Sequence, residues 1–442
     1  MFTKFSYRTV GDIARRCSEL GIEIPFAEDA SALAREFVFC GRRLPNRLGS
    51  APMEGADSEP DGSPSPLTFS RYLALARGGS AVIWLEAVAV NEESRSSHNQ
   101  LWLTEDNLSE FKRLCDEIRE EGLKANGFAP LLVIQANHSG RYSDSAAPLT
   151  AWSNPCLEKN PKYLRGRPAT DEELMRIEEL QGNTARLSRL AGFDAIDVKA
   201  CHGYLAAELL SARSRPGPYG GDYEGRTRFY KNCIKAAKAE QTPGFRVTTR
   251  LGIYDGFPYP YGFGASEDGS PEPDLTEPSK LAGELLADGI DSVCLTMGNP
   301  YVTTHVTRPY NSGAYVPDED PLEGVARICR GVGRIKKDHP DLTILSSGPS
   351  FLRGFSGYYA AGAVEAGLCD GMLFGRMSLA CPDFANDILT RGEPDPKKVC
   401  VACGKCGELI RAHLPTGCVV RNSATYLPFL REYERRLKDG SK

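Results

Sequence analysis

Much is missing from these 442 residues, and each absence narrows the field. No apolar run approaches the about 18 residues that a bilayer-spanning helix requires, so none is expected. The opening MFTKFSYRTVGDIARRCSELG scatters its charges and has no apolar h-region, which predicts no secretory signal and a cytoplasmic protein. A net charge of -5 leaves no basic excess for nucleic acid or a membrane surface. There is no internal repeat and no low-complexity tract. No GxGxxG follows the first apolar run, so the usual dinucleotide fingerprint is absent.

What is present is a rhythm. Eight short apolar runs occur in order: LPNRLGSAPM, SAVIWLEAVAV, PLLVIQANH, FDAIDVKACH, FRVTTRLG, SVCLTMG, LTILSSG and GMLFGRM. Amphipathic stretches such as DNLSEFKRLCDEIREEGLKANG and TDEELMRIEELQGNTARLSRLAG separate them, with N-cap candidates Asp106 and Thr170 and a Gly at the far end. Eight such alternations predict an α/β fold, a TIM (β/α)8 barrel, in preference to an open doubly wound sheet.

The expected division is an N-terminal helical extension (1–36), the barrel (37–395) and a C-terminal cysteine-rich segment (396–442). Chemistry in a barrel gathers at the C-terminal strand ends. The positions of interest are therefore Met53 to Gly55, Glu86 and Ala87, Gln135 to His138, Lys199 to Tyr204, Arg250, Thr296 to Asn299, Gly348 and Arg376. Three long loops rich in Pro, Gly and Tyr (143–168, 254–275 and 299–320) follow strands and are expected over the mouth.

Fourteen cysteines need a second explanation. In a reducing compartment disulfides are rare, and ten of the fourteen sit scattered among apolar residues, as small buried hydrophobes do. The other four stand in VCVACGKCGELIRAHLPTGCVV: Cys400, Cys403 and Cys406 at two-residue intervals, then Cys418. Thiolates so spaced converge on one centre, with Gly404 and Gly407 letting the backbone curl. Structural zinc favours two separate C-x2-C knuckles, whereas three close cysteines and a remote fourth match a [4Fe–4S] cluster better; zinc stays open. The C-x3-C-x2-C spacing of radical enzymes is absent.

The stretch DVKACHGYLAAELLSARSRPGPYGGDYEGRTRF (197–229) resembles the signature of the old yellow enzyme family, and LPNRLGSAPM and IQANHSGRYS resemble its first and third strands. With the four cysteines, the similarity is to the branch of 2,4-dienoyl-CoA reductase and trimethylamine dehydrogenase, over roughly residues 36–425.

The resemblance implies FMN at the barrel mouth and a [4Fe–4S] cluster held by Cys400, Cys403, Cys406 and Cys418. Gly348, Gly375 and Arg376 would take the phosphate, and Gln135 the pyrimidine edge. Arg250 would stand near N1 and the C2 carbonyl, where charge collects on reduced flavin. Pro52, Met53 and Ala87 would wall the ring. Tyr204 would donate a proton and His202 polarise the substrate carbonyl.

Lys199 replaces the histidine of many relatives and would bind the carbonyl oxygen or the flavin. Glu54 stands where many carry Thr or Cys. A carboxylate there would oppose flavin reduction unless it turns away or is protonated.

The expectation is an FMN- and [4Fe–4S]-dependent ene-reductase acting on an α,β-unsaturated carbonyl compound. The aromatic loop YDGFPYPYGFG hints at a flat, ringed substrate such as a steroid enone, and an enoyl thioester is also open. Electrons would come from NADH or NADPH, or from a separate reductase or ferredoxin, because the FAD and NAD(P)H domains of longer relatives do not follow Cys418. A homo-oligomer is open as well. Amine dehydrogenation and a pure electron-transfer role are the alternatives.

Overall fold

The computed structural model describes residues 1–160 and 164–439; residues 161–163 of the first long loop and 440–442 of the C-terminal segment lie outside the described residues. Eight parallel strands close on themselves. They are β1 (Leu48–Ser50), β2 (Val82–Ala89), β3 (Leu131–Asn137), β4 (Ala195–Val198), β5 (Arg246–Gly252), β6 (Ser292–Thr296), β7 (Thr343–Ser347) and β8 (Gly371–Phe374). Each lies inside one of the eight apolar runs, and β8 closes the barrel by pairing Met372 with Leu48 of β1. Among the described residues no helix is long and apolar enough to cross a membrane.

Alternation along β2 separates two cores. Val82 and Trp84 join an inner cluster with Val133, Leu345 and Leu373, while Ile83 and Leu85 belong to the outer one beneath the helices. The hairpin of Phe37–Phe39 and Arg42–Leu44 carries Phe37 and Phe39 into that inner cluster. Above it lies a polar layer, begun by Trp84 Nε1 donating to Asp197 Oδ2 at 2.9 Å. The barrel is thus plugged with apolar side chains at one end and polar toward the other.

The helix over Asp171–Leu190 starts from a capping box at Thr170, as the spacing predicts. The helix over Leu108–Asn126 departs from expectation: its N-cap is Asn107, not Asp106, because Asn107 turns its side-chain oxygen back to the Thr104 N–H. All ten scattered cysteines are buried and free. In the N-terminal extension a helix, Val10–Leu20, packs on the barrel and is held by Arg16 to the buried Asp320 at 3.0 Å.

One buried network shapes the mouth. Arg71, on the helix Pro66–Arg77, binds Asp57 at 2.6 Å and Glu86 at 2.7 Å, and Glu86 accepts the Gly55 N–H at 2.6 Å. Glu86, on β2, therefore faces the helix rather than the mouth. A bulge between Trp84 and Ala87 permits this while returning Ala87 to the open end. A Cβ on Gly55 would lie 2.1 Å from the Arg71 guanidinium, so only glycine lets the loop carrying Met53 and Glu54 close over it.

Removing Arg71 strands two buried carboxylates. We expect Arg71→Ala to cost about 3–5 kcal/mol in urea unfolding at pH 8. Burial already raises the Glu86 carboxyl, and losing Arg71 raises it further, so the folded state binds protons that the unfolded state releases. The deficit should therefore shrink at pH 5.

Candidate active site

Asp197 is fully buried and accepts three hydrogen bonds: Trp84 Nε1, Gln135 Nε2 at 2.6 Å and the Arg250 backbone N–H at 2.7 Å. Burial lifts it to about 6, against the pull of these donors, so at neutral pH it is mostly ionised and accepts only. That fixes the Gln135 amide with its NH2 toward Asp197, and its carbonyl oxygen is left to accept from whatever fills the cavity beyond. The Arg250 side chain is buried with Nε unpartnered, and its terminal nitrogen makes a long 3.5 Å approach to Thr296 Oγ1.

That cavity, about 1050 Å³, opens at the C-terminal strand ends. All eleven barrel residues expected to touch flavin or substrate line it: Pro52, Met53, Ala87, Gln135, Lys199, His202, Tyr204, Arg250, Gly348, Gly375 and Arg376. Glu54 lines it too. Its carboxylate accepts from Ser96 Oγ, and burial raises its pKa toward the neutral acid. Gly348 sits at φ 95°, and a Cβ on Gly375 would crowd Met53 Sδ at 3.1 Å, so both glycines keep backbone open to the cavity.

The Tyr204 hydroxyl lies 2.7 Å from that of Tyr301, and the Lys199 ammonium lies 3.7 Å from the Tyr204 ring centre. Burial holds the Tyr204 phenol well above its ordinary value and brings Lys199 down to about 8. His202, in a left-handed conformation at φ 66°, is kept neutral by burial and by Arg250 and Lys199 nearby.

The sequence did not reveal Tyr301, Arg308 and Arg411, which also line the cavity. Tyr301 and Arg308 come from the third long loop, and only the fold shows that it descends into the mouth. The second long loop packs against its neighbours. None of residues 254–275 lines the cavity; Tyr261 stacks on Trp152 at 6.1 Å and Phe257 packs with Cys156 and Leu157. These aromatics pack on the first long loop, and Tyr259 is exposed beside Arg213, so the hint of a steroid-shaped substrate has no support there. His138 is buried outside the cavity, accepting the Gly140 N–H.

A profile of the NADH:flavin oxidoreductase / NADH oxidase family matches residues 38–263, half the chain. The NADPH dehydrogenase of Listeria monocytogenes is 30% identical over 306 residues, which are 68% of this chain and 82% of that one. The chain belongs to this family. The NADPH dehydrogenase of Bacillus velezensis is 33% identical over 207 residues, but the match spans only 56% of its length. In fold, the chain resembles a 2-naphthoyl-CoA reductase solved with 2-naphthoyl-CoA (TM-score 0.72, 19% identity), covering 92% of this chain and 58% of that one. It also resembles morphinone reductase (TM-score 0.62, 19% identity), covering 85% and 92%.

The residues fit the flavin this family carries. Lys199, Arg250, Arg308, Arg376 and Arg411 face the cavity against one carboxylate, Glu54, so an anion is needed to balance them. Arg376 is anchored by donating to the Pro309 carbonyl at 2.7 Å, which leaves further N–H groups for a phosphate.

The family match ends well before the cysteine segment. Cys400, Cys403, Cys406 and Cys418 line a second cavity of about 330 Å³, which shares Arg376 and Cys406 with the first. Backbone N–H groups of Ala402 and Arg421 donate to the sulfurs of Cys400 and Cys418 at 3.4 Å. Among the described residues no group of three or more His, Cys, Asp or Glu could hold a metal ion.

Asp197→Asn tests the Gln135 orientation. With its NH2 at the Oδ2 position the new amide turns Gln135 over and also strands the Trp84 N–H, so stability should fall by about 1–3 kcal/mol and FMN affinity about tenfold. The affinity change is a loss of one hydrogen bond, about 1.4 kcal/mol, measured by fluorescence titration of apoprotein.

Proposed function

We propose that this protein is an FMN- and [4Fe–4S]-dependent ene-reductase, which saturates the activated C=C of an α,β-unsaturated carbonyl compound. The observation that carries the reading is the Tyr204 phenol, with His202 and Lys199, facing the same cavity as the Arg250 guanidinium, whose buried Nε has no hydrogen-bond partner. FMN, when bound, supplies hydride at N5. Every other requirement falls to the chain.

Gln135 accepts from the pyrimidine edge, and Arg250 neutralises charge at its carbonyl end. Gly348, Gly375 and Arg376 receive the phosphate. Pro52, Met53 and Ala87 form the wall. Neutral His202 donates to the substrate carbonyl, and the Lys199 ammonium strengthens that pull. Tyr204 remains protonated at neutral pH, as a proton donor to the α carbon must. Glu54 accepts from Ser96 Oγ, and burial raises its carboxyl above the usual range, which lessens its opposition to flavin reduction.

Cys400, Cys403, Cys406 and Cys418 would hold the cluster, which supplies one-electron exchange with a donor. Four sulfurs around a cavity, rather than drawn to one point, suit a cube of iron and sulfide. A single zinc ion requires bonds of about 2.3 Å to every thiolate. The reductant is NADH or NADPH, or a separate reductase or ferredoxin. The setting is cytoplasmic, where such thiols stay reduced. Assembly as a homo-oligomer is part of the proposal.

Amine dehydrogenation is the weaker reading. The aromatic trio of Tyr142, Tyr204 and Tyr301 already has a cation on it, the Lys199 ammonium, which would repel an alkylammonium.

Anaerobically purified protein should contain flavin, iron and sulfide. Once reduced by NADPH, it should be reoxidised by 2-cyclohexen-1-one, and trimethylamine should leave oxidised flavin coloured. Bleaching by the amine overturns the choice. Tyr204→Phe should slow enone reduction roughly a hundredfold with flavin still bound. Turnover should also decline as pH rises through about 8, where Lys199 loses its proton, and Lys199→Met should erase that limb.

A further inference from the structure

Saturating a C=C takes one hydride at the β carbon and one proton at the α carbon. When the Tyr204 O–H bond breaks to form the new C–H bond, the electron pair stays on the phenol oxygen. Tyr204 must then recover a proton before the next cycle. It is 5% exposed, and it lines the inner cavity that the substrate fills. Direct access for water is therefore closed when the phenolate forms.

Of the residues that line both this cavity and the neighbouring groove (Glu54, Tyr301, Ile410 and Arg411), Tyr301 is the one hydrogen-bonded to the Tyr204 oxygen. It lines the inner cavity and also a neighbouring open groove of about 2030 Å³, which Tyr204 does not reach. The two hydroxyls are 2.7 Å apart. Tyr301 is also held in place. Its ring stacks on Tyr142 with centres 3.9 Å apart and planes 17° from parallel. Asn299, fully buried, accepts the Tyr301 backbone N–H at 2.9 Å and donates to the Tyr142 hydroxyl at 3.0 Å. One amide thus fixes both the ring and its stacking partner.

We propose that Tyr301 is a relay residue, returning a proton from water in the groove to Tyr204 after each turnover. The Tyr301 proton passes to the Tyr204 oxygen, groove water reprotonates Tyr301, and the net proton comes from solvent. A phenolate held by a phenol at this distance forms a short, charge-assisted hydrogen bond. The Lys199 ammonium over the Tyr204 ring lowers its cost further. Tyr301 acts through Tyr204 and touches no reacting carbon.

The proposal rests on the ene-reductase reading. Its test is steady-state and single-turnover kinetics of holoenzyme with NADPH and 2-cyclohexen-1-one, in H2O and D2O. Tyr301→Phe keeps the ring on Tyr142. It should lower kcat roughly tenfold with little change in KM, a fraction of the effect of a positioned acid. It should also raise the solvent deuterium isotope effect on kcat while single-turnover reoxidation slows less. Tyr204→Phe combined with Tyr301→Phe should be no slower than Tyr204→Phe alone.

An unchanged kcat and isotope effect, or losses that multiply in the double variant, overturns the relay. Wild-type enzyme that the enone does not reoxidise overturns the ene-reductase reading and the relay with it. Wild type that turns over beside an unaffected Tyr301→Phe overturns the relay alone.

Discussion

A carboxylate at the centre of the barrel governs the mouth. Asp197 lies on β4, its hydrogen-bond donors come from β2, β3 and β5, and none can be lost without stranding a buried polar group. Trp84 below ties it to the apolar plug, so the polar layer cannot slide along the barrel axis. Gln135 and Arg250 rise from that anchor. The direction of one amide and the backbone of one arginine are thereby set before any ligand arrives, which is what a preorganised site requires.

Charge then decides what can enter. Five cationic side chains and one carboxylate around a single cavity form an unbalanced set in a protein whose net charge is negative. Burial lowers Lys199 and Arg308, and neighbouring cations lower them further, Arg250 beside Lys199 and Arg376 and Arg411 beside Arg308. Such a cavity favours an anionic occupant over a neutral or cationic one.

The barrel was readable because each strand is buried on both faces and so appears as an unbroken apolar run, bounded by turn residues. All eight could be placed, and with them the residues at their ends, since strand position dictates which side chains reach the mouth. Loops carry no such periodicity. YDGFPYPYGFG has the aromatic content of a binding loop, yet Tyr261 and Phe257 are spent on Trp152, Cys156 and Leu157. NPYVTTHVTRP looks ordinary and delivers Tyr301 and Arg308 to the cavity. Asn299, with hydrogen bonds to two aromatic residues far apart in the chain, helps to fix where that loop goes, and pairings across 157 residues leave no local trace.

The C-terminal segment completes the site rather than hanging beside it. The Thr416 N–H donates to the Gly55 carbonyl at 2.7 Å, binding the segment to the very loop that Arg71 and Glu86 hold in place. The Asn311 N–H donates to the Ala402 carbonyl at 3.0 Å, binding it to the loop that carries Tyr301. Gly407 leaves room for the Arg308 guanidinium, which a Cβ would meet at 2.6 Å. Cys406 consequently faces the barrel cavity and the cysteine cavity at once, with Arg308 and Arg376 beside it. A residue that disturbs the cysteine segment must therefore disturb the barrel mouth as well. The cysteine cavity and the barrel cavity share Arg376 and Cys406, so they form one continuous electrostatic environment, not two sites joined by a linker.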